Sequence, residues 1–193
     1  MIQHLERENK FYEVLDIYNA ELEKERTPKL LIGAGVNYMR IKEYDRAIAL
    51  LKEAVERDPN SPNATYNVAI AIFTRAEREA DINPGSTEVA KWFREVIVYA
   101  KRTTELKPDH DKAYLFWGLS LKHLGDPKGA IDPLQKGLIA RPENSDLHVA
   151  MGQVLAQLGN KTEAEKYFKN AQSLNPNDPS AARELEKLHG KKP

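Results

Sequence analysis

Residues 114–142 read YLFWGLSLKHLGDPKGAIDPLQKGLIARP, and residues 148–176 read HVAMGQVLAQLGNKTEAEKYFKNAQSLNP. Laid over one another, they align Gly118 with Gly152, Ala130 with Ala164 and Pro142 with Pro176, 176 − 142 = 34 residues apart. Upstream, Pro108 lies 142 − 108 = 34 residues before Pro142, and Pro59 lies 108 − 59 = 49 residues before Pro108, one more interval of 34 with 15 added. A fixed period of this length marks a repeat architecture.

Counting back from each proline gives the register. Twelve residues before it lie Ala47, Val96, Ala130 and Ala164; eight before lie Leu51, Ala100, Leu134 and Phe168; five before lie Ala54, Thr103, Gly137 and Ala171. Steps of four and three place these positions on one helical face, where small residues alternate with larger ones. Twenty-four before the proline, three of the four units carry Gly35, Gly118 and Gly152, and three residues further on come Tyr38, Leu121 and Leu155.

The pattern resembles the tetratricopeptide repeat, in which a Trp/Leu-Gly-x-x-Tyr helix is followed by an Ala-x-x-x-Phe-x-x-Ala helix and a proline. LLIGAGVNYMRIKEYDRAIALLKEAVERDP at 30–59 carries it as well, and the resemblance covers residues 28–178. It implies an all-α fold, an α-solenoid wound as a right-handed superhelix of helix-turn-helix repeats. Its implied role is a protein-binding scaffold or adaptor. Each hairpin cannot bury both of its faces alone, so stacked neighbours share one core.

The expected organisation is a degenerate partial repeat at 1–27, then repeats at 28–61, 62–110, 111–144 and 145–178, and a capping helix with a tail at 179–193. Ser61-Pro62 and Asp126-Pro127 read as capping side chains ahead of a proline in the first helical position. Gly125 and Gly159 fall in the turns inside their units. The 15 added residues lengthen the hairpin of the second repeat by about two turns per helix. There Ala76 and Ala80 are expected to face Val89 and Phe93, and Trp92 either seals the hairpin or offers an aromatic contact. Pro133 falls inside a helix, where the lost hydrogen bond to the Gly129 carbonyl predicts a bend at 129–133. At the N-terminus, Val14 and Tyr18 take the Ala and Phe places of a second repeat helix; at the C-terminus, Ala182, Leu185 and Leu188 share one side of the cap.

Lys+Arg and Asp+Glu both number 29, for a formal net charge of +0, and there are no cysteines. No long basic run supports nucleic-acid binding, and Lys187 with Lys191 and Lys192 reads as a solubilising tail. Without cysteine there is no disulfide, thiolate metal site or cysteine nucleophile. No apolar window reaches membrane-spanning length, and the acid-rich first thirty residues do not resemble a signal peptide, so a cytoplasmic location is expected.

The five histidines show no metalloprotease or paired-ligand spacing. Asp109-His110-Asp111 falls in the polar turn between repeats, and Gly33-Ala34-Gly35 within a helix, where close packing explains it better than phosphate binding. No catalytic residue, metal site or cofactor is expected, and the chain is read as a non-enzyme.

The resemblance also implies that first helices line a concave groove. The residues it assigns to partner binding are Ile32, Val36, Met39 and Arg40; Tyr66, Asn67, Ile70 and Phe73; Leu115, Leu119 and Lys122; and Val149 and Gln153. Chaperone-binding members of the family hold a C-terminal carboxylate with Lys, Asn and Arg. In those places this chain has Ile32, Val36, Leu115 and Leu119, with only Asn67 matching, so that clamp is expected to be absent. The apolar character, flanked by Lys29, Arg40, Lys112 and Lys122, suits an apolar or amphipathic protein segment. Self-burial or homo-oligomeric assembly through the same face is the alternative, as is an accessory domain of a longer multidomain protein.

Overall fold

A computed structural model describes residues 2–8 and 10–190, and their regular secondary structure is entirely helical. Lys191 and Lys192 of the expected tail lie outside the described residues. The chain divides into two compact units, Met1–Leu106 and Lys107–Pro193.

The first unit holds α1 (Ile2–Arg7), α2 (Phe11–Lys24), α3 (Pro28–Arg40), α4 (Tyr44–Arg57), α5 (Pro62–Ile82) and α6 (Thr87–Leu106). The second holds α7 (Asp111–His123), α8 (Pro127–Ala140), α9 (Ser145–Gln157), α10 (Lys161–Leu174) and α11 (Pro179–Leu188). Each helix packs on its sequence neighbour within its unit, and first helices also meet, α3 with α5 and α7 with α9.

Starts and turns follow local chemistry. Thr27, Ser61, Asp126 and Asp178 each accept a backbone N–H of the first helical turn and precede a proline at the start of the helix. Gly125 and Gly159 take φ values of 78° and 83° in the hairpin turns. Lys42 occupies the corresponding turn of the α3–α4 hairpin at φ 65°, a left-handed conformation that glycine adopts with less strain.

The packing face expected from the sequence is the buried one. Ala47, Leu51, Ala54, Val96, Ala100, Ala130, Leu134, Ala164, Phe168 and Ala171 are all core residues. A Cβ at Gly35, Gly118 or Gly152 would lie 2.6, 2.5 or 2.5 Å from a side-chain carbon of Leu51, Leu134 or Phe168. Gly137 leaves the room into which Leu147 of α9 packs.

The long hairpin is present: α5 has 21 residues and α6 has 20, against 13 and 14 in α3 and α4. At 1.5 Å per residue the added turns extend each helix by about 10 Å. Ala76, Val89 and Phe93 are buried and Ala80 is half-buried; the Phe93 ring meets Phe73 edge-on at 5.8 Å. Trp92 stays partly exposed, with the Arg75 guanidinium 4.2 Å above its ring.

The remaining expectations are refined. Helix α8 continues through Pro133, which is buried. Val14 is buried in α2, and the Tyr18 ring occupies the space that a side chain at Gly33 would need. In α11 the buried residue is Ala181, beside half-buried Ala182, Leu185 and Leu188.

Candidate functional site: the faces of the first helices

In the first unit, α3 and α5 carry Val36, Tyr66, Asn67 and Ile70 half-buried, and among the described residues of that unit no further first helix packs beside them. Ile32 packs on the cluster of Leu22, Leu31, Ala34, Ala54 and Ala64, and Met39 on Leu15, Tyr38 and Ala47. Asn67 turns back on its own helix, its Nδ2 donating to the Asn63 carbonyl at 2.7 Å and to Asn63 Oδ1 at 2.8 Å. Arg40 lays its guanidinium over the Phe11 ring of α2 at 5.2 Å. With Lys29 exposed on the first turn of α3, both charges assigned to this face are positive.

Two expected contact residues belong to the core instead. Phe73 is 3% exposed, held edge-on by Phe93, and Leu115 is 6% exposed among Ala130, Leu134, Leu138 and Leu147. Phe73 lies three residues after Ile70 and Leu115 four residues before Leu119, on the same helix side as the residue that stays open. Val36 and Ile70 in the first unit, and Leu119 and Val149 in the second, remain half-buried.

In the second unit the face is bridged by polar groups. Lys122 Nζ donates to Gln153 Oε1 at 2.6 Å, and Gln153 Nε2 donates to Glu184 Oε1 at 3.2 Å. Glu184 in turn accepts from Lys187 Nζ at 2.9 Å. The chain of bonds crosses α7, α9 and α11, so two expected binding residues are engaged with each other and with the capping helix. Glu184 was not among the expected site residues.

The Asp109-His110-Asp111 turn has a structural role. His110 Nδ1 accepts the Ala113 N–H at 3.3 Å, and burial, then the Lys107 charge, lowers its pKa below the ordinary histidine value. Asp111 is buried and accepts from Asn144 Nδ2 at 2.7 Å, with Arg141 Nε at 3.5 Å. Among the described residues no group of three His, Cys, Asp or Glu is placed to hold a metal ion, and no helix is long and apolar enough to cross a membrane.

These features define an all-α repeat protein of the solenoid type, built from helical hairpins that present first-helix faces. A family model described as tetratricopeptide repeat matches residues 121–188, and one described as coatomer epsilon subunit matches residues 2–115, more than half of the chain. The chain belongs to the tetratricopeptide-repeat family and, through the longer match, to that of the coatomer epsilon subunit.

Solved structures agree on the fold. A thermophilic tetratricopeptide-repeat protein of Thermus thermophilus superposes with TM-score 0.76 at 15% identity, covering 97% of this chain and 95% of that one. MamA gives TM-score 0.75 at 23% identity, covering 91% and 95%. YrrB, described as having an unusual peptide-binding site, gives 0.71 at 17%, covering 96% and 88%. At these identities the likeness shows the fold alone. Among curated proteins, photosystem I assembly protein Ycf3 of Cuscuta obtusiflora is 29% identical over 108 residues, 53% of this chain and 63% of that protein. Small glutamine-rich tetratricopeptide repeat-containing protein 2 of Mycosarcoma maydis is 27% identical over 153 residues, 79% and 36%. The chain thus spans less than two thirds of the length of either curated relative.

Proposed function

We propose that this chain is a protein–protein interaction scaffold that holds an apolar or amphipathic segment of a partner protein against its first-helix faces. It acts as an adaptor, without a chaperone-type carboxylate clamp. What supports the reading is that Val36 on α3 and Tyr66 and Ile70 on α5 stay half-buried on two first helices that pack together, and that α3 also carries exposed Lys29 and Arg40. Apolar side chains left partly open along adjacent helices are the usual footprint of a helix-in-groove or extended-segment partner. The cations favour a segment with acidic residues. A cytoplasmic location and the lack of a catalytic role belong to the same reading.

Burial guides the test. Glutamate at Leu115 or Phe73 would disturb the core, so the informative variant is Val36→Glu with Ile70→Glu, checked for helicity by circular dichroism. It loses a partner that wild type and Val98→Glu, altered at an exposed position of α6, both retain. Retention of that partner by the double variant refutes the proposal.

Homo-oligomeric assembly is the second reading, favoured by exposed Tyr12, Val98 and Ile139 outside the first-helix faces. It requires a mass that rises with concentration in light scattering. A relative named for photosystem I assembly and a family named for a coatomer subunit suit a part in a larger complex, as an accessory domain would have.

A further inference from the structure

The second helices of the first unit lie side by side, and their two seams differ. The seam between α4 and α6 is laced by Lys52 Nζ with Glu95 Oε1 at 2.6 Å and, just beyond the end of α4, by Arg102 Nη2 donating to Asn60 Oδ1 at 3.2 Å. The seam between α2 and α4 leaves an open cleft of about 420 Å³. The sequence explains the gap: Asn19, Leu22 and Glu23 form one stripe of α2, Arg46, Ala49 and Leu50 one stripe of α4, and at Ala49 the facing side chain is a single methyl.

The floor is apolar and fixed. Leu22 and Tyr38 are buried, and Leu50 packs against both hydrophobic clusters of this region. The Tyr38 hydroxyl exchanges hydrogen bonds with the Asn19 amide at 3.1 and 3.2 Å, which sets the ring before any ligand arrives. The charges at the rim are unequal in their commitments. Arg26 is forked onto Glu53, whose carboxyl is held at about 2 first by that arginine. Arg46 lies over the Tyr38 ring at 5.8 Å and makes no ion pair among the described residues, and neither does Glu23 on the opposite helix.

We propose that this cleft is a second docking site, separate from the first-helix faces, for a partner protein segment that carries a bulky apolar side chain beside a carboxylate. The apolar group occupies the space over Ala49 on the Leu22, Tyr38 and Leu50 floor. The carboxylate meets Arg46, which makes no ion pair among the described residues. Glu23 repels a second acid on the α2 side, so the segment docks with its acidic side toward α4.

The test is an amide and methyl chemical-shift titration with capped peptides Ser-Phe-Asp-Ser, Ser-Phe-Lys-Ser and Ser-Ala-Asp-Ser. The first is expected to shift Leu22, Ala49 and Leu50, and the other two to bind several-fold more weakly. Ala49→Trp, on an exposed position, fills the cleft and abolishes the shifts while the rest of the spectrum is kept. Arg46→Gln removes the preference for Asp over Lys. The proposal is overturned if the aspartate peptide leaves these residues unmoved, if it shifts only α3 and α5, if Ala49→Trp binds as wild type does, or if the lysine peptide binds equally well. Concentration-dependent shifts at the same residues without peptide assign the cleft to a second copy of the chain and overturn it too.

Discussion

Gly152 and Phe168 fit together because the glycine has no side chain: a Cβ at Gly152 would lie 2.5 Å from ring carbon Cε1 of Phe168. The contact joins a first helix to its second helix and recurs as Gly35 with Leu51 and Gly118 with Leu134. In the long hairpin the corresponding residues, Ala69 and Ala100, are both small and buried. Gly152→Ala gains about 1 kcal/mol of helix propensity. The forced overpacking costs about 1–3 kcal/mol, so the net change is destabilising. Equilibrium urea unfolding of Gly152→Ala, Phe168→Leu and the double variant checks this. The double variant should be more stable than the sum of the single effects, because leucine vacates the space that the new methyl needs. Simple additivity contradicts the packing account.

Asn144 serves two helices at once. Its Oδ1 accepts the Asp146 and Leu147 N–H groups at 3.0 and 3.3 Å, capping α9, and its Nδ2 donates to buried Asp111. Asn144→Ser keeps a capping oxygen and removes the Asp111 contact, at a cost of about 1.5–3 kcal/mol for a hydrogen bond to a charged group. Asn144→Ala loses the cap as well, about 1 kcal/mol more. Urea midpoints should order wild type above serine above alanine; equal midpoints for the two variants would show that the cap contributes nothing.

Glu53 makes the first unit sensitive to acid. Its carboxyl is lowered from 4.5 to about 2, chiefly by the Arg26 hydrogen bond, with a further one from Arg57. A depressed carboxylate contributes stability that is fully present above 4.5 and is lost as pH falls toward 2. The side chain is 25% exposed, so solvent screening limits the contribution to roughly 1 kcal/mol. Glu53→Gln should be less stable than wild type at neutral pH, and the difference should shrink between pH 4.5 and 2. A difference independent of pH would assign the loss to packing.

The periodic contacts were legible in the sequence because both partners of each pair lie in one repeating register. Gly118 and Leu134 stand at fixed distances before Pro142, as Gly152 and Phe168 do before Pro176. The faces were less legible. Phe73 and Leu115 share a helix side with Ile70 and Leu119, and which of two adjacent positions turns inward depends on the facing helix. For Phe73 that helix is lengthened and supplies Phe93. The Lys122–Gln153–Glu184 bridge needs the seating of α11, which a polar cap pattern does not specify. The α2–α4 cleft arises where exposed Ala49 leaves room, and on a helix surface such a residue reads as ordinary solvated face. Lys42 hides the α3–α4 turn for a similar reason, since the units at Gly125 and Gly159 announce theirs with glycine.

The central claim is that the α3 and α5 face receives a partner segment, and site-specific photo-crosslinking tests it most directly. A benzophenone side chain placed at Val36 or Ile70 should trap one partner protein, and the same group at Val98 on α6 should not. The Val36 and Ile70 products should map to one apolar, acid-flanked segment. Trapping at Val98 alone, or products from Val36 and Ile70 that contain only this chain, would contradict the account.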